Sequence, residues 1–421
     1  MRPIIRLAAL ALHGITGYTQ TVMREPAGIR ILVWMCVLIA VNQLGFGSII
    51  PALALYARSF DVTQSAIGLA IAIYGLARFL VAVPAGQLAD RLGRRHTLAI
   101  GGVLSAFGNV LCALAPSYPA FVGARFIAGA GAALVLTTGL IVIADISTPS
   151  NRGRMMSAYQ GAFIFAVGIG PLPGGLLATH WGLAAPFLAY AATSLVASTM
   201  AWLAIPETRV VRRADEPEPA HVPYRAQLRL LTAHRGFMLV SCIAFVNAVA
   251  RTGALFNIVP ILARDRLALH PDRIGFGLAL ASVVGLVVAY PTGVLVDRHG
   301  RKIIIVPATI LSGLSLVLFL LAPTYAWFLA ACAAWSIAMG ISGAAPAAYA
   351  ADTAPPGMNA AAVSSYRMLA DLGYVVGPIA LGLAADLAGI DATLAGTAVL
   401  LVAMALLFGR FAPETYRAGR F

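Results

Sequence analysis

Charge is scarce in this chain. Of its 421 residues, 60% are hydrophobic and only 11% are Asp, Glu, Lys or Arg, whereas soluble domains run near a quarter charged. Acids are scarcer than bases, 16 against 29, and Lys302 is the single lysine. Cysteine is sparse too. Cys36, Cys112, Cys242 and Cys332 stand singly in apolar runs, without the spacing of a metal or redox pair. There is no phosphate-binding Gly-x-x-x-x-Gly-Lys loop, which argues against ATP as the driving force. His180, His270 and His299 lie near connections and share no metal spacing. The chain is therefore not expected to be an enzyme, nor to hold a metal or a cofactor.

Long apolar runs fill the space that charge leaves. Mean hydropathy is +0.87, and each membrane span needs about 20 apolar residues. Twelve spans are predicted, at 29–55, 65–88, 97–115, 120–144, 157–178, 186–205, 237–263, 273–295, 303–322, 326–350, 362–385 and 392–411. The formal net charge of +13 invites a nucleic-acid reading, but the placement of the charges rejects it. About 21 of the 29 basic residues fall on one side of the membrane and about 4 on the other, the positive-inside pattern. That pattern predicts an integral membrane protein of the bacterial cytoplasmic membrane, with both termini in the cytoplasm. Residues 1–28 read as a cytoplasmic, partly amphipathic lead-in, 29–205 and 237–411 as two six-helix bundles, 206–236 as a polar, proline-rich linker and 412–421 as a cytoplasmic tail.

One stretch occurs twice. Gly86-Gln-Leu-Ala-Asp90-Arg91-Leu-Gly93-Arg94-Arg95 ends one apolar run and starts the next. It returns as Gly293-Val-Leu-Val-Asp297-Arg298-His-Gly300-Arg301-Lys302, an offset of 207 (297 − 90). The same offset carries Asp145 onto Asp352, Tyr159 onto Tyr366, and Gly170-Pro171 onto Gly377-Pro378. Helix 1 needs 209, which sets Pro51 on Pro260 and Asn42 on Arg251. A constant shift across several spans means a duplicated six-helix unit. Six is even, so both halves insert in the same orientation, as parallel repeats.

These residues resemble the major facilitator superfamily, over all twelve spans. The hinge follows that family's G-x-L-a-D-R-x-G-R-R signature nearly position for position. Arg125-Phe-Ile-Ala-Gly129-Ala-Gly131 is similar to its R-x-x-q-G-x-g, with Ala128 where Gln is usual. Gly170-Pro171-Leu-Pro-Gly174-Gly175 is similar to the end of the antiporter motif of proton-coupled exporters, although Ser157 and Ala166 stand where upstream glycines are expected. Together they look most like the twelve-helix drug:proton antiporters, the tetracycline exporters among them. The resemblance implies an all-α fold in two pseudo-symmetric halves that rock around a central site. It also implies a conformational role for Gly86, Asp90, Arg91, Gly93, Arg94, Arg95 and Asp145, and for Gly293, Asp297, Arg298, Gly300, Arg301 and Asp352. In the family the hinge aspartate docks on the start of helix 11 when the transporter faces outward.

Charges within the spans are the candidates for coupling and recognition, because each costs about 2.5–3.5 kcal/mol at a helix centre. Arg78 lies twelve residues before Asp90, about 18 Å at 1.5 Å per residue. Arg125, Arg251 and Arg367 are the other basic residues. Asp371 is the acid deep within a span, one turn from Arg367. Asp371, Arg125 and Arg367 are the proton-coupling candidates, Arg125 through the family resemblance. The family's cavity helices 1, 4, 7 and 10 point to Asn42, Gln43, Phe46, Asn247, Arg251, Asn257, Trp335 and Ser336, together with Arg78 on helix 2, as cavity candidates. Many family exporters carry an acid in helix 1, where this chain has Asn42 and Gln43, which cannot titrate. Four arginines against one acid favour an anionic, zwitterionic or neutral substrate over a cation. The leading expectation is a monomeric, proton-coupled exporter of a small molecule. An importer or facilitator of a small organic anion is the alternative, and a non-transporting sensor or assembly subunit of the same fold comes third.

Overall fold

The computed structural model describes the backbone of residues 2–147, 152–208, 224–342, 345–353 and 359–414. Side chains are described within those segments from Gly28 onward, except at 152–153, 224–228, 289–299, 359–361 and 363–364. The described residues form helices and short connections, with no strand among them. In lipid no water is available to backbone groups, so each spanning segment must satisfy them internally, as a helix does.

Among the described residues, eleven helices are long and apolar enough to cross a membrane. They are Gly28–Arg58, Gln64–Leu92, Arg94–Ala113, Tyr118–Ile146, Arg154–Trp181, Ala185–Ala204, Arg235–Leu267, the helix begun at Pro271, Lys302–Leu320, Tyr325–Asp352 and Ser365–Phe411. The last has 47 residues, about 70 Å of helix, more than twice a hydrocarbon core of about 30 Å. Gly389 divides it, with φ 85° and ψ 162°. Gly182, which joins the fifth and sixth helices, has φ 89° and ψ 165° and stands 207 residues earlier (389 − 182). Ala362, Phe408 and Ala412 share one buried cluster with Ile304 and Phe237, so the chain must double back between 362 and 408. Ser365–Phe411 is therefore two spans, and the total is twelve. They are called spans 1 to 12 below, with span 11 at 365–388 and span 12 at 390–411. The backbone of span 1 is helical from as early as Arg2.

Four glycines with positive φ make the tight connections: Gly93 and Gly300 at one end, Gly182 and Gly389 at the other. A side chain is strained in that backbone region, and glycine is not. The end that carries Gly93 and Gly300 is called the hinge end, and the opposite one the far end. Between the ends a large cluster built on Phe46, Ile71, Tyr74, Leu255, Phe256 and Trp335 joins the halves. Smaller clusters around Met35 and Tyr159, and around Tyr349 and Phe408, fill the hinge-end core of each half.

The halves meet most tightly at the far end. Arg58 and Asp265 form a forked ion pair at 2.7 Å. The Asp386 carboxylate accepts from the backbone N–H of Gln64 and of Ser65, at 2.8 and 2.9 Å, and so caps span 2 from span 11. At the related position Thr179 Oγ1 ends span 5 and accepts from the N–H of Asp272 on span 8, at 3.0 Å. Thr179 Oγ1 also donates to the Asp272 carboxylate at 3.3 Å, and these hydrogen bonds and the ion pair, which join described residues of the two halves, all lie at the far end.

Candidate functional site

Arg94 organises the hinge of the first half. It is 8% exposed and donates three ways, through Nη1 to Asp90 at 2.8 Å and to the Ala89 carbonyl at 2.9 Å, and through Nε to Asp145 at 2.9 Å. Gly93 has φ 96°, and a Cβ there would run into the Glu207 carboxylate. Glu207 accepts from the backbone N–H of Arg94 at 2.9 Å and of Arg95 at 3.3 Å. It therefore caps span 3, where the helix dipole favours an anion. The second half repeats the arrangement. Arg301 Nε donates to Asp352 at 3.3 Å, and Glu414 accepts from the N–H of Arg301 at 3.3 Å and of Lys302 at 3.2 Å. The side chains of Asp297 and Arg298 lie outside those described, and of Gly293 the backbone alone is described. The Asp90 side chain is 70% exposed, Arg91 is exposed, and a Cβ on Gly86 would meet nothing within 4 Å.

Glu207 and Glu414 are absent from the sequence-based candidates, although the sequence marks them. Pro206-Glu207 and Pro413-Glu414 stand 207 residues apart (414 − 207), the same shift as the hinge. They fall in what reads as linker and tail, where composition alone suggests solvated coil.

At mid-depth four candidate charges gather in the space between the halves. The Arg78 guanidinium lies 6.0 Å from the Tyr374 ring centroid. Arg251 lies 5.6 Å from the Phe256 ring and within electrostatic reach of Arg78 and Tyr374. Asp371 is under the influence of Arg78 and Arg367. Among the described residues, no cation lies within 4.0 Å of the Asp371 carboxylate. Arg251, Arg367 and Asp371 are exposed, although each sits within a span. Arg251 stands on a π-helical segment, Ala250–Ile258. Pro260 just beyond has no N–H to donate, and the widened turn precedes it.

The other candidates are placed differently. Arg125 is fully buried. Its Nε donates to the Ala70 carbonyl at 3.2 Å, its guanidinium sits 4.4 Å from the Tyr74 ring centroid, and its Nη1 has no partner. Tyr74 in turn shares a hydrogen bond with Tyr190 at 3.1 Å and stacks on Phe46. Asn42 turns toward span 6, donating to Ser194 Oγ at 3.4 Å, and Gln43 donates to Asn42 Oδ1 at 3.1 Å. Asn247 donates to its own helix at Ile243, and Asn257 to the Pro378 carbonyl at 3.4 Å. The Oδ1 of each of these two asparagines is buried without a partner. Trp335 is 3% exposed, and Ser336 donates to the Ala281 carbonyl of span 8.

The Gly170–Gly175 stretch lies where the far end closes. A Cβ on Gly170 would meet Gly47, one on Gly174 would meet Ser48, and one on Gly175 would meet Pro271. The Pro171 carbonyl rests against Gly275 of span 8. The copy at Gly377-Pro378 does the same for span 2, with the Pro378 carbonyl against Gly68. A motif singled out by resemblance thus packs span 5 backbone to backbone on two sides, Gly170 and Gly174 against span 1 of its own half and Pro171 and Gly175 against span 8 of the other.

The sequence profile of the Major Facilitator Superfamily matches residues 35–249 and again 240–420. The chain belongs to the major facilitator superfamily. It is 28% identical over 298 residues to the class C tetracycline resistance protein of Escherichia coli, covering 69% of this chain and 73% of that one. It is 27% identical over 289 residues to the multidrug efflux pump LfrA of Mycolicibacterium smegmatis, covering 66% of this chain and 56% of the pump. An uncharacterized transporter of the superfamily from Methanocaldococcus jannaschii is 23% identical over 349 residues, covering 83% and 89%. Several curated relatives are thus matched over little more than half their length. Among solved structures, the nucleoside transporter NupG superposes with a TM-score of 0.74 at 14% identity, covering 90% of this chain and 98% of that one. A bacterial homologue of the human lysosomal transporter Spinster, inward-facing and occupied, superposes at 0.72 with 16% identity, covering 90% and 95%. These structures share the fold of this superfamily member, a multi-pass membrane transporter.

The clamp on span 3 gives this transporter a measurable signature. Glu207→Gln removes charge from a helix N-terminus and weakens one of two N–H contacts, a loss of about 1 kcal/mol. The midpoint of thermal unfolding in detergent should fall by about 2 °C. Glu414→Gln should cost less, because its two contacts are 3.3 and 3.2 Å against 2.9 and 3.3 Å at Glu207. Equal shifts, or none at Glu207, would sink the clamp.

Proposed function

We propose that the chain is a proton-driven exporter of small anionic, zwitterionic or neutral polar molecules. It acts as a monomer in the bacterial cytoplasmic membrane, with the hinge end and both termini in the cytoplasm. The observation that carries this reading is the gathering of Asp371 with Arg78 and Arg367, and of Arg78 with Arg251, between the halves. An acid with no cation at contact distance can take up and release a proton as water reaches it. Three arginines in the same space, with Arg125 behind them, favour a substrate with negative or no net charge.

With the hinge end inside, the far-end contacts close the outer mouth, and this structure is the inward-facing state. Asp90 is then exposed and undocked, and Gly86 has open space beside it for another helix. Rocking the halves would exchange these contacts for hinge contacts. Coupling follows if protonation of Asp371 and binding of substrate favour different states, since each ligand shifts the equilibrium only by its differential affinity. The efflux activity in the names of several relatives supports the outward direction. The arginines fit equally an importer or facilitator of a small organic anion, which remains the second reading.

Direction and substrate charge are tested together in everted vesicles with an acid interior. Addition of a transported anionic, zwitterionic or neutral drug should release interior protons and restore the fluorescence of a pH-quenched dye. If only permanent dications restored it, the charge argument would fail. If proton movement followed substrate in the same direction, the importer reading would replace export.

A further inference from the structure

A second cavity lies away from the centre, on the membrane-facing side of the first half. It is a groove of about 630 Å³ between spans 3 and 6, lined by Ala99, Ile100, Val103, Phe107, Trp202 and Leu203, with Leu104, Ser198 and Thr199 completing it. Its two hydroxyls are already committed. Ser198 Oγ donates to the Ala99 carbonyl at 2.7 Å, and Thr199 Oγ1 to the Leu195 carbonyl at 2.9 Å. The walls are therefore apolar in effect. Ile100, Val103, Phe107 and Leu203 stay 43%, 53%, 55% and 75% exposed.

The hinge end of the groove is basic and aromatic. The Arg95 guanidinium lies 5.0 Å from the Trp202 ring centroid, and the His96 ring meets the same indole edge-on at 5.1 Å. Arg95 Nε is buried without a hydrogen-bond partner, and no ion pair forms on its side chain among the described residues. Its neighbour Glu207 is engaged with the backbone N–H groups of span 3. From Arg95 to Phe107 is twelve residues, about 18 Å of helix, close to one leaflet's share of a hydrocarbon core of about 30 Å. Trp and Arg at one end with a dry slot below match the interfacial arrangement of a lipid: charge at the headgroup level and apolar surface under it.

The fold does not demand this arrangement, because the second half lacks it. At the shift of 207 (302 − 95), Lys302, Ile303 and Gly409 stand where Arg95, His96 and Trp202 stand. Lys302 Nζ is committed to the Ala412 carbonyl at 2.9 Å, and among the described residues no aromatic ring lies under its charge.

We propose that the groove between spans 3 and 6 binds one anionic phospholipid of the hinge-side leaflet, its phosphate on Arg95 beside His96 and Trp202 and one acyl chain along Ile100 to Phe107. The site sits on the Gly93–Arg95 hinge, so an occupied groove bears directly on the element that Glu207 clamps.

The test is native mass spectrometry of the full-length protein titrated with dioleoyl phosphatidylglycerol or dioleoyl phosphatidylcholine. Wild type should retain one phosphatidylglycerol in preference to phosphatidylcholine. Arg95→Gln should lower that preference about fivefold, the worth of one arginine at an anionic lipid surface. Lys302→Gln, at the related position, should leave it unchanged. Thr199→Trp, which fills the groove from its open side, should remove the retained lipid whatever its headgroup. Absence of preference in wild type, equal losses in Arg95→Gln and Lys302→Gln, or full retention in Thr199→Trp would each overturn the proposal.

Discussion

Asp371→Asn is expected to abolish proton-driven accumulation while leaving downhill exchange of substrate measurable. The two side chains are nearly the same shape, so the packing around span 11 should survive. Only the ability to exchange a proton is lost. A pH difference of one unit drives at most about tenfold accumulation per proton, because one unit is worth 1.36 kcal/mol, and that whole factor should disappear. Exchange of substrate against substrate needs no proton and should continue in reconstituted vesicles. The competing explanation is a structural role beside Arg367, one turn away on the same helix. It makes a different prediction: Asp371→Asn would destabilise the protein, and Arg367→Gln in the same chain would restore it. Retained accumulation in Asp371→Asn would move the proton to another group and end this account.

The architecture was legible in the sequence because it rests on two strong regularities, long apolar runs and a constant shift of 207. The same shift pairs Gly182 with Gly389 and so resolves twelve spans where helix length alone counts eleven. The centre was less legible, for a physical reason. Helices buried among other helices are apolar nearly all round, so periodicity does not tell which face meets a cavity. Asn42 and Gln43 illustrate this: polarity marked them, but partners on a neighbouring helix, Ser194 and beyond it Ser105, hold Asn42 inside the first half. Arg78, Arg251, Arg367 and Asp371 stood out as charges that need company, since an isolated charge in a span is expensive. What the sequence could not give was the company itself, which comes from different spans. Tyr74 and Tyr190 escaped notice because buried tyrosines are ordinary core residues until a guanidinium is found over a ring, as that of Arg125 is over Tyr74.

Gly68→Leu is expected to trap the transporter out of the state described here and to cut transport by at least about tenfold. A Cβ on Gly68 would overlap the Pro378 carbonyl, a backbone group that no rotamer change can move aside. Gly275 meets the Pro171 carbonyl in the same way, so Gly275→Leu should act alike. Overpacking of this kind costs about 1–3 kcal/mol, comparable to the few kcal/mol that separate the states of a two-state protein. The strain exists only while the far end is closed, so opening that end relieves it. A cysteine placed at Gln64, whose backbone Asp386 caps in the closed state, should react faster with an impermeant maleimide in Gly68→Leu than in its absence. The native Cys112 and Cys332 are buried and give a slow background. Gly86→Leu supplies the opposite case. Nothing lies within 4 Å of a Cβ there in this state, so it should leave the far end closed and the Gln64 label slow, while still slowing transport by hindering closure at the hinge. Two leucines on one helix that both inhibit, only one of which speeds the label, would locate the moving contact at both ends of span 2. Fast labelling in neither, with transport intact in Gly68→Leu, would rule out the far-end glycines as the closing surface.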